Sequence, residues 1–534
     1  MNDQPETELL RHPRDKFLAF ILACAKRACG IAFAGLTLHP IVATAEVINS
    51  ASPASPEVSR MGVPTSSEIV PLETVSKNAS DLVVEVSDPL TTSPSEITPN
   101  SEDAGDVPIE DAPSETPESN NAASTSSQNL GQRSRLTGDW GGLRSQLEDA
   151  GVTFDLEFTQ FYQGLVSGSS RQIVPEGSQF IVVDEADGYG GRVDAFSDVD
   201  FGKLGLWQGG GFHTHLEYRY GPLAADLGNA FFATNVAMDS PFESPHTLVA
   251  TSLYLSQQFG DRVSLLLGRI NSSDLSKNDL FFSGWGIRRF QNTVFATPPS
   301  GLMVPVLYGA IANVRLDPVT LSLWVYDPDD RTQDYWPTDL FSNGVNVSLT
   351  TTYATKVAGR PTSISLTGRY STKTGTNFSE VSEGFRSELS ELQPSTKTGS
   401  YYISFQLSHL LHQNPGDPEQ GWGLFLKGAI ADGNPNYVQN SIIAGIGGTG
   451  LFPGRELDSF GLGYYYYNLS DALQDSLSDT FRRVSFGDEQ GIEAYYSYAV
   501  TPWFYLTADV QYIKPPRSSF DDAFIAGVRA NVRF

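Results

Sequence analysis

Between Asn271 and Val304 one polar stretch carries Asp274, Lys277, Asp279, Arg288 and Arg289 beside Phe281, Phe282 and Trp285. Charges of both signs interleaved with aromatic rings suit a small polyhydroxylated molecule. Its hydroxyls hydrogen-bond to ionised groups, and a C–H face packs on a ring. A second set lies at Phe212–Tyr220, where His213, His215, Glu217 and Arg219 alternate with Phe212, Thr214, Leu216, Tyr218 and Tyr220. A strand turns successive side chains to opposite faces, so the four ionisable groups share one side. His213-x-His215 has the spacing of a metal pair on a strand, but no carboxylate or thiol stands at a fixed spacing to complete it. No metal or other cofactor is expected. The chain also lacks a Gly-x-Ser-x-Gly nucleophile turn, which weighs against an outer-membrane enzyme of the lipase kind.

The elements that must position these groups are strands. From Val152 to the end the chain repeats alternating segments of about ten residues separated by turns. After a first strand beginning at Val152, others are predicted near 191–202, 211–220, 247–259, 262–270, 305–316, 319–327 and 343–354. They continue near 361–371, 400–410, 421–431, 439–449, 457–467, 490–499, 503–513 and 521–534. The total is about sixteen, an even number. Tight turns such as Phe259-Gly260-Asp261-Arg262 and Leu316-Asp317-Pro318 alternate with long connections at 221–246, 271–304 and 372–399. The fold class is therefore all-β: a transmembrane antiparallel β-barrel with a short N-terminal helix and a disordered acidic N-terminal linker. Unpaired backbone groups in hydrocarbon cost several kcal/mol each, so the first and last strands must pair. A barrel of this size is too wide for its own side chains to fill and should enclose water.

Composition agrees. The chain has 49 Gly, 22 Tyr and 31 Phe against 4 Met, and its net charge of -27 argues against nucleic acid as a partner. Mean hydropathy is slightly negative, and a barrel allows this because only alternate residues face lipid. Both cysteines, Cys24 and Cys29, fall in the first 30 residues. Residues 1–45 read as a signal peptide, with Arg11, Arg14, Lys16, Lys26 and Arg27 ahead of an apolar run that ends at Ala43-Thr44-Ala45. A single transmembrane anchor is the alternative, but the run is short and broken by His39 and Pro40. Residues 46–134 hold fifteen acids, three bases and no aromatic residue. Such a composition cannot bury enough apolar surface to fold, and reads as a periplasmic spacer or tether. Residues 135–151 carry a helix predicted from Trp140 to Ala150, capped by Asp139 and stopped by Gly151. It sits in the barrel mouth or just beneath it, and 152–534 form the barrel.

With a barrel in place, strand parity assigns the wall. Lipid does not accept charge, so Asp155, Glu157, Asp194, Asp198, Asp200, Arg369, Lys427, Glu493, Asp509, Arg529 and Arg533 should point inward, with His213, His215, Glu217, Arg219, Arg269 and Arg315. Most pair with neighbours, and a minority would meet solute. The loop residues Asp274, Lys277, Asp279, Trp285, Arg288 and Arg289 are the candidates for a constriction. The loop either folds inward or lies over the outer mouth. The last strand has Phe524, Ala526, Val528, Ala530, Val532 and Phe534 on one face and Ile525, Gly527, Arg529, Asn531 and Arg533 on the other.

A chain ending on an aromatic residue of an alternating strand resembles bacterial outer-membrane barrels, whose assembly machinery reads that residue; here it is Phe534. The run Leu136-Thr137-Gly138-Asp139-Trp140-Gly141-Gly142-Leu143-Arg144 resembles the start of the carbohydrate-selective porin family, the OprB type. Supporting stretches are Gly205 to His215, Arg289 to Phe295, Ala499 to Trp503, and Asp509 to Ile513. The resemblance spans about 135–534. It implies a sixteen-stranded outer-membrane channel, commonly trimeric, that passes monosaccharides and other small neutral solutes. A general diffusion porin with weak selectivity is the main alternative.

Overall fold

The computed structural model describes residues 129–534 apart from 169–170, 177–178, 185–186, 222–226, 240–247, 283–285, 297–298, 300–303, 380–394, 481–485 and 519. The signal peptide, nearly all of the acidic linker and Trp285 lie outside the described residues.

The first strand, β1 (Val152–Ser167), is followed by a separate hairpin of β2 (Arg171–Glu176) and β3 (Gln179–Asp184). The barrel continues with β4 (Asp187–Asp200), β5 (Gly210–Tyr220), β6 (Leu248–Phe259), β7 (Val263–Asn271), β8 (Val306–Arg315) and β9 (Val319–Tyr326). Next come β10 (Asn346–Val357), β11 (Arg360–Thr376), β12 (Thr396–Asn414), β13 (Asp417–Ala431) and β14 (Val438–Thr449). It ends with β15 (Ser459–Leu469), β16 (Glu489–Thr501), β17 (Phe504–Lys514) and β18 (Ala523–Arg533). Sixteen of these form one closed antiparallel barrel in which each strand pairs with its sequence neighbours, and β18 returns to β1. The seam pairs Phe158 with Val532 and Gln163 with Gly527. All sixteen predicted strands are present. The added hairpin β2–β3 belongs to the long connection after β1.

Alternation decides which side chains meet lipid. Leu267, Leu323, Leu366, Leu424, Ile430, Ile442 and Leu462 stand exposed on the outer wall. Tyr353, Tyr370, Tyr401, Tyr464, Tyr498 and Tyr512 are exposed with them, where rings suit a membrane interface. The inner rows are polar and buried, as at Ser322, Ser348, Thr367 and Arg369. Short turns gather at one rim, including Gly260 at φ 58° and the two-residue link between β10 and β11. Long connections gather at the other.

The N-terminal helix begins later than its sequence suggests, at Leu143–Asp149, because Gly141 and Gly142 adopt left-handed conformations (φ 72° and 97°). Asp139 still serves the first turn, its carboxylate accepting from Ser145 N at 2.9 Å, and Gly151 (φ 94°) ends the helix. The segment lies against the seam at the short-turn rim. Leu136 N donates to Arg533 O at 2.8 Å. Arg144, 6 % exposed, donates to Phe154 O and Phe534 O, each at 3.1 Å.

Candidate functional site

The connection from β7 to β8 begins with a tight 3-10 turn at Ser272–Ser276, set by the Asn271 side chain accepting from Ser273 N at 3.0 Å. That turn puts Asp274 against β5 and β6: His215 Nδ1 lies 2.9 Å from its carboxylate, and Ser252 Oγ donates to it. Asp279 closes the next turn, accepting from Phe281 N and Phe282 N at 2.8 Å. Both phenylalanines are thereby aimed at β13, where their rings lie 5.7 and 4.9 Å from Phe425.

The rest of the connection crosses to the opposite wall. Arg529 of β18 donates to Gly286 O and Arg289 O. Glu493 of β16 accepts from Gln291 N (2.5 Å) and Asn292 N (2.9 Å). Lys427 of β13 donates to Phe295 O and Ala296 O at 3.3 and 3.2 Å. Phe290 and Phe295 stack at 4.4 Å and meet Tyr495 and Tyr465 edge-on. Two small residues on the inner face of β15 make this fit possible: a Cβ on Gly461 would stand 2.6 Å from Phe290, and one on Gly463 2.3 Å from Phe295. The connection therefore runs inside the barrel.

A second insert, from Leu227 to Asp239 in the connection between β5 and β6, had no signal in its charges. Phe232 packs edge-on against Tyr467, and Phe231 N donates to Glu489 at 2.7 Å. The two inserts are stitched together, Thr293 N to Ala233 O at 3.0 Å and Val236 N to Gln291 O at 2.9 Å. Its pattern, Phe231-Phe232 among small residues, was the available clue. Together the inserts and the inner faces of β13 to β16 form an aromatic core within the barrel. Water does not fill the whole interior, contrary to what barrel width alone implies.

A cavity of about 620 Å³ lies on the short-turn side of the inserts. Lys277, Asp279, Arg288 and Arg289 line it from the β7–β8 connection, and Asn531 and Arg533 from β18. Facing them are Asn414, Asp417, Glu419, Gln420, Thr449, Glu456 and Ser459 from the ends of β12 to β15. The bases come from the β7–β8 connection and β18, and the acids other than Asp279 from the ends of β13 to β15. Arg288 pairs with Glu157, which also lies 3.7 Å from Arg533.

The other nominated residues are placed differently. His213 meets Asp198 at 2.5 Å and Ser256 at 2.8 Å. His215, Glu217 and Arg219 belong to a buried network: Arg192 bridges Asp194 (2.5 Å) and Glu217 (2.7 Å), and His215 reaches Asp194 at 3.0 Å. Asp194, His215 and Glu217 offer three potential ligand atoms within 4.8 Å of one another, but the Arg192 guanidinium already supplies the compensating charge. Arg269 is buried under the β9–β10 connection, donating to Arg331 O (2.6 Å), Thr332 O (2.5 Å) and Asp334 O (2.9 Å). It fastens that loop and is not among the residues lining the cavity. Arg315 sits at the short-turn rim, 3.8 Å from Asp317. Asp200 is spent on its turn, accepting from Gly202 N and Lys203 N.

The family model described as "Carbohydrate-selective porin, OprB family" matches residues 184–534. The chain belongs to this family. Among curated relatives of this porin, the QuiX protein of Acinetobacter baylyi is 23 % identical over 442 residues, covering 75 % of this chain and 93 % of that protein. Porin B of Pseudomonas aeruginosa is 22 % identical over 438 residues, covering 75 % and 91 %. The high-pH structure of Pseudomonas putida OprB superposes with a TM-score of 0.64 at 18 % identity, covering 76 % of this chain and all of that one, a likeness of fold. The porin is a non-enzymatic channel of the bacterial outer membrane.

Proposed function

We propose that this porin passes monosaccharides and other small neutral solutes passively through an off-centre channel narrowed by the β7–β8 insert. One observation carries the reading: a lumen cavity lined on one side by Lys277, Arg288, Arg289 and Arg533 and on the other by Asp417, Glu419 and Glu456, with amides and hydroxyls between. Its volume falls within the roughly 300–1,000 Å³ of small-molecule sites. Charges of both signs, nearly balanced, offer hydrogen bonds to hydroxyls without a net pull on either kind of ion. Lys277, Asp279, Arg288 and Arg289 are the predicted residues that line this cavity, whereas His213, His215, Glu217, Arg219 and Arg269 hold the wall and the loops in place.

Phe534 is the residue offered to the assembly machinery, the barrel associates as a trimer, and residues 46–134 act as a periplasmic spacer. Liposome swelling tests the transport reading by comparing glucose with neutral non-sugars of equal size. Faster entry of glucose is expected. Equal rates would make this a general diffusion channel.

A further inference from the structure

Two acids on one strand hold both inserts. Glu489 and Glu493 lie four residues apart on the inner face of β16, and both are fully buried. Neither carboxylate pairs with a base among the described residues. Glu489 accepts from Phe231 N at 2.7 Å and from Tyr465 OH at 2.9 Å. Glu493 accepts from two consecutive backbone groups, Gln291 N and Asn292 N. Backbone N–H groups of a loop brought into a barrel must find acceptors there, because the wall's own carbonyls are used in the strand ladder. A carboxylate presents two acceptor oxygens and no donor, which suits a pair of adjacent N–H groups. On the next strand, Gln511 bridges the inserts, donating to Thr234 O at 2.9 Å and accepting from Asn292 Nδ2 at 3.2 Å. The inserts then bond to each other at Thr293–Ala233 and Val236–Gln291.

We propose that Glu489 and Glu493 are positioning residues that moor the 227–239 insert and residues 286–296 of the β7–β8 insert as one unit, making the 227–239 segment a second determinant of the aperture. Arg288 and Arg289, the basic groups over the cavity, are placed by this unit as well as by their own loop. Loosening the 227–239 insert should therefore displace them, although no residue of that insert lines the cavity.

The test uses the full-length porin in detergent and in planar bilayers. Glu489→Met removes both acceptor oxygens and leaves Phe231 N and Tyr465 OH without their acceptor. Native-state trypsin cleavage after Arg288 or Arg289 reads the β7–β8 insert, and chymotrypsin cleavage at Phe231 or Phe232 reads its partner. Glu489→Met should raise both rates by roughly 5- to 150-fold, the range for a buried polar group left unmatched. Ion conductance should rise and sugar block weaken, while the folded barrel keeps its migration on unheated gels. Glu493→Gln should do the same from the other side. Acceleration at Phe231 and Phe232 alone would overturn the single-unit claim, and unchanged rates at both sites would overturn the mooring claim. Should either glutamate variant fail to fold, Gln511→Met provides the same readouts. The electrical arm rests on the channel reading, but the proteolysis arm does not, so failure of sugar selectivity would leave its outcome intact.

Discussion

Gly463 and Phe295 form the most informative contact in the lumen. A Gly463→Ala substitution would bring the new methyl carbon to 2.3 Å from the Phe295 ring, well inside the roughly 3.5–4.0 Å of a favourable carbon contact. The strand cannot retreat, because β15 is hydrogen-bonded on both sides, so the insert must give way. Overpacking of this kind costs about 1–3 kcal/mol. At about 1.4 kcal/mol per factor of ten, the undocked insert becomes roughly 5- to 150-fold more populated. Phe295→Ala removes a ring that is 0 % exposed and should cost about 3–5 kcal/mol, or about two to three and a half powers of ten. Trypsin cleavage after Arg288 or Arg289 in the folded porin follows that population when reclosing is fast relative to cleavage. In the double variant the methyl added by Gly463→Ala enters space the ring has left, so its rate should fall below the product of the single effects by about the Gly463→Ala factor. Rates that multiply independently, or a Gly463→Ala protein as resistant as the parent, would refute the seating of Phe295 on β15.

Other outcomes follow from the same geometry. Glu157→Gln removes the carboxylate that Arg288 and Arg533 share, so reversal potentials in a salt gradient should shift toward anion preference. Arg144→Ala strips donors from Phe154 O and Phe534 O. Leaving such acceptors unmatched costs about 1–3 kcal/mol, and the temperature at which the barrel unfolds in SDS should fall. In the β9–β10 connection, burial pushes the Asp329 carboxyl up, but Lys373 and Asn343 more than offset this and hold it below its usual range. A depressed carboxylate stabilises the folded state above its unfolded pKa and loses that contribution as pH falls through the folded value. Protease sensitivity of this connection should therefore rise as pH falls below the usual carboxylate range, and Lys373→Met should raise it already at neutral pH.

Strand count, closure and parity were legible because lipid and water impose opposite demands on alternate residues; Arg529 and Asn531 on β18 and Lys427 on β13 sit inside as that logic requires. Parity could not tell an inward residue that meets water from one that meets an insert. Phe425 shares a face with Lys427 and Tyr495 with Glu493, so parity turns both inward, but nothing local shows that they and Tyr465 are buried against loop aromatics. Arg269 illustrates the same limit. Its charge places it inside, but three of its partners are carbonyls more than sixty residues away. The 227–239 insert was missed because its anchors are backbone N–H groups, which every non-proline residue carries. Gly461 and Gly463 marked the docking point, although glycine in a strand signals close approach without naming what approaches.

Single-channel recording in planar bilayers with a sugar titration tests the central claim most directly. The porin should conduct ions through an open channel whose current falls in a saturable manner as glucose is added, and Arg289→Gln should weaken that block while the channel stays open. A current that shows no dependence on sugar beyond the viscosity of the solution would contradict a sugar-binding constriction at the insert.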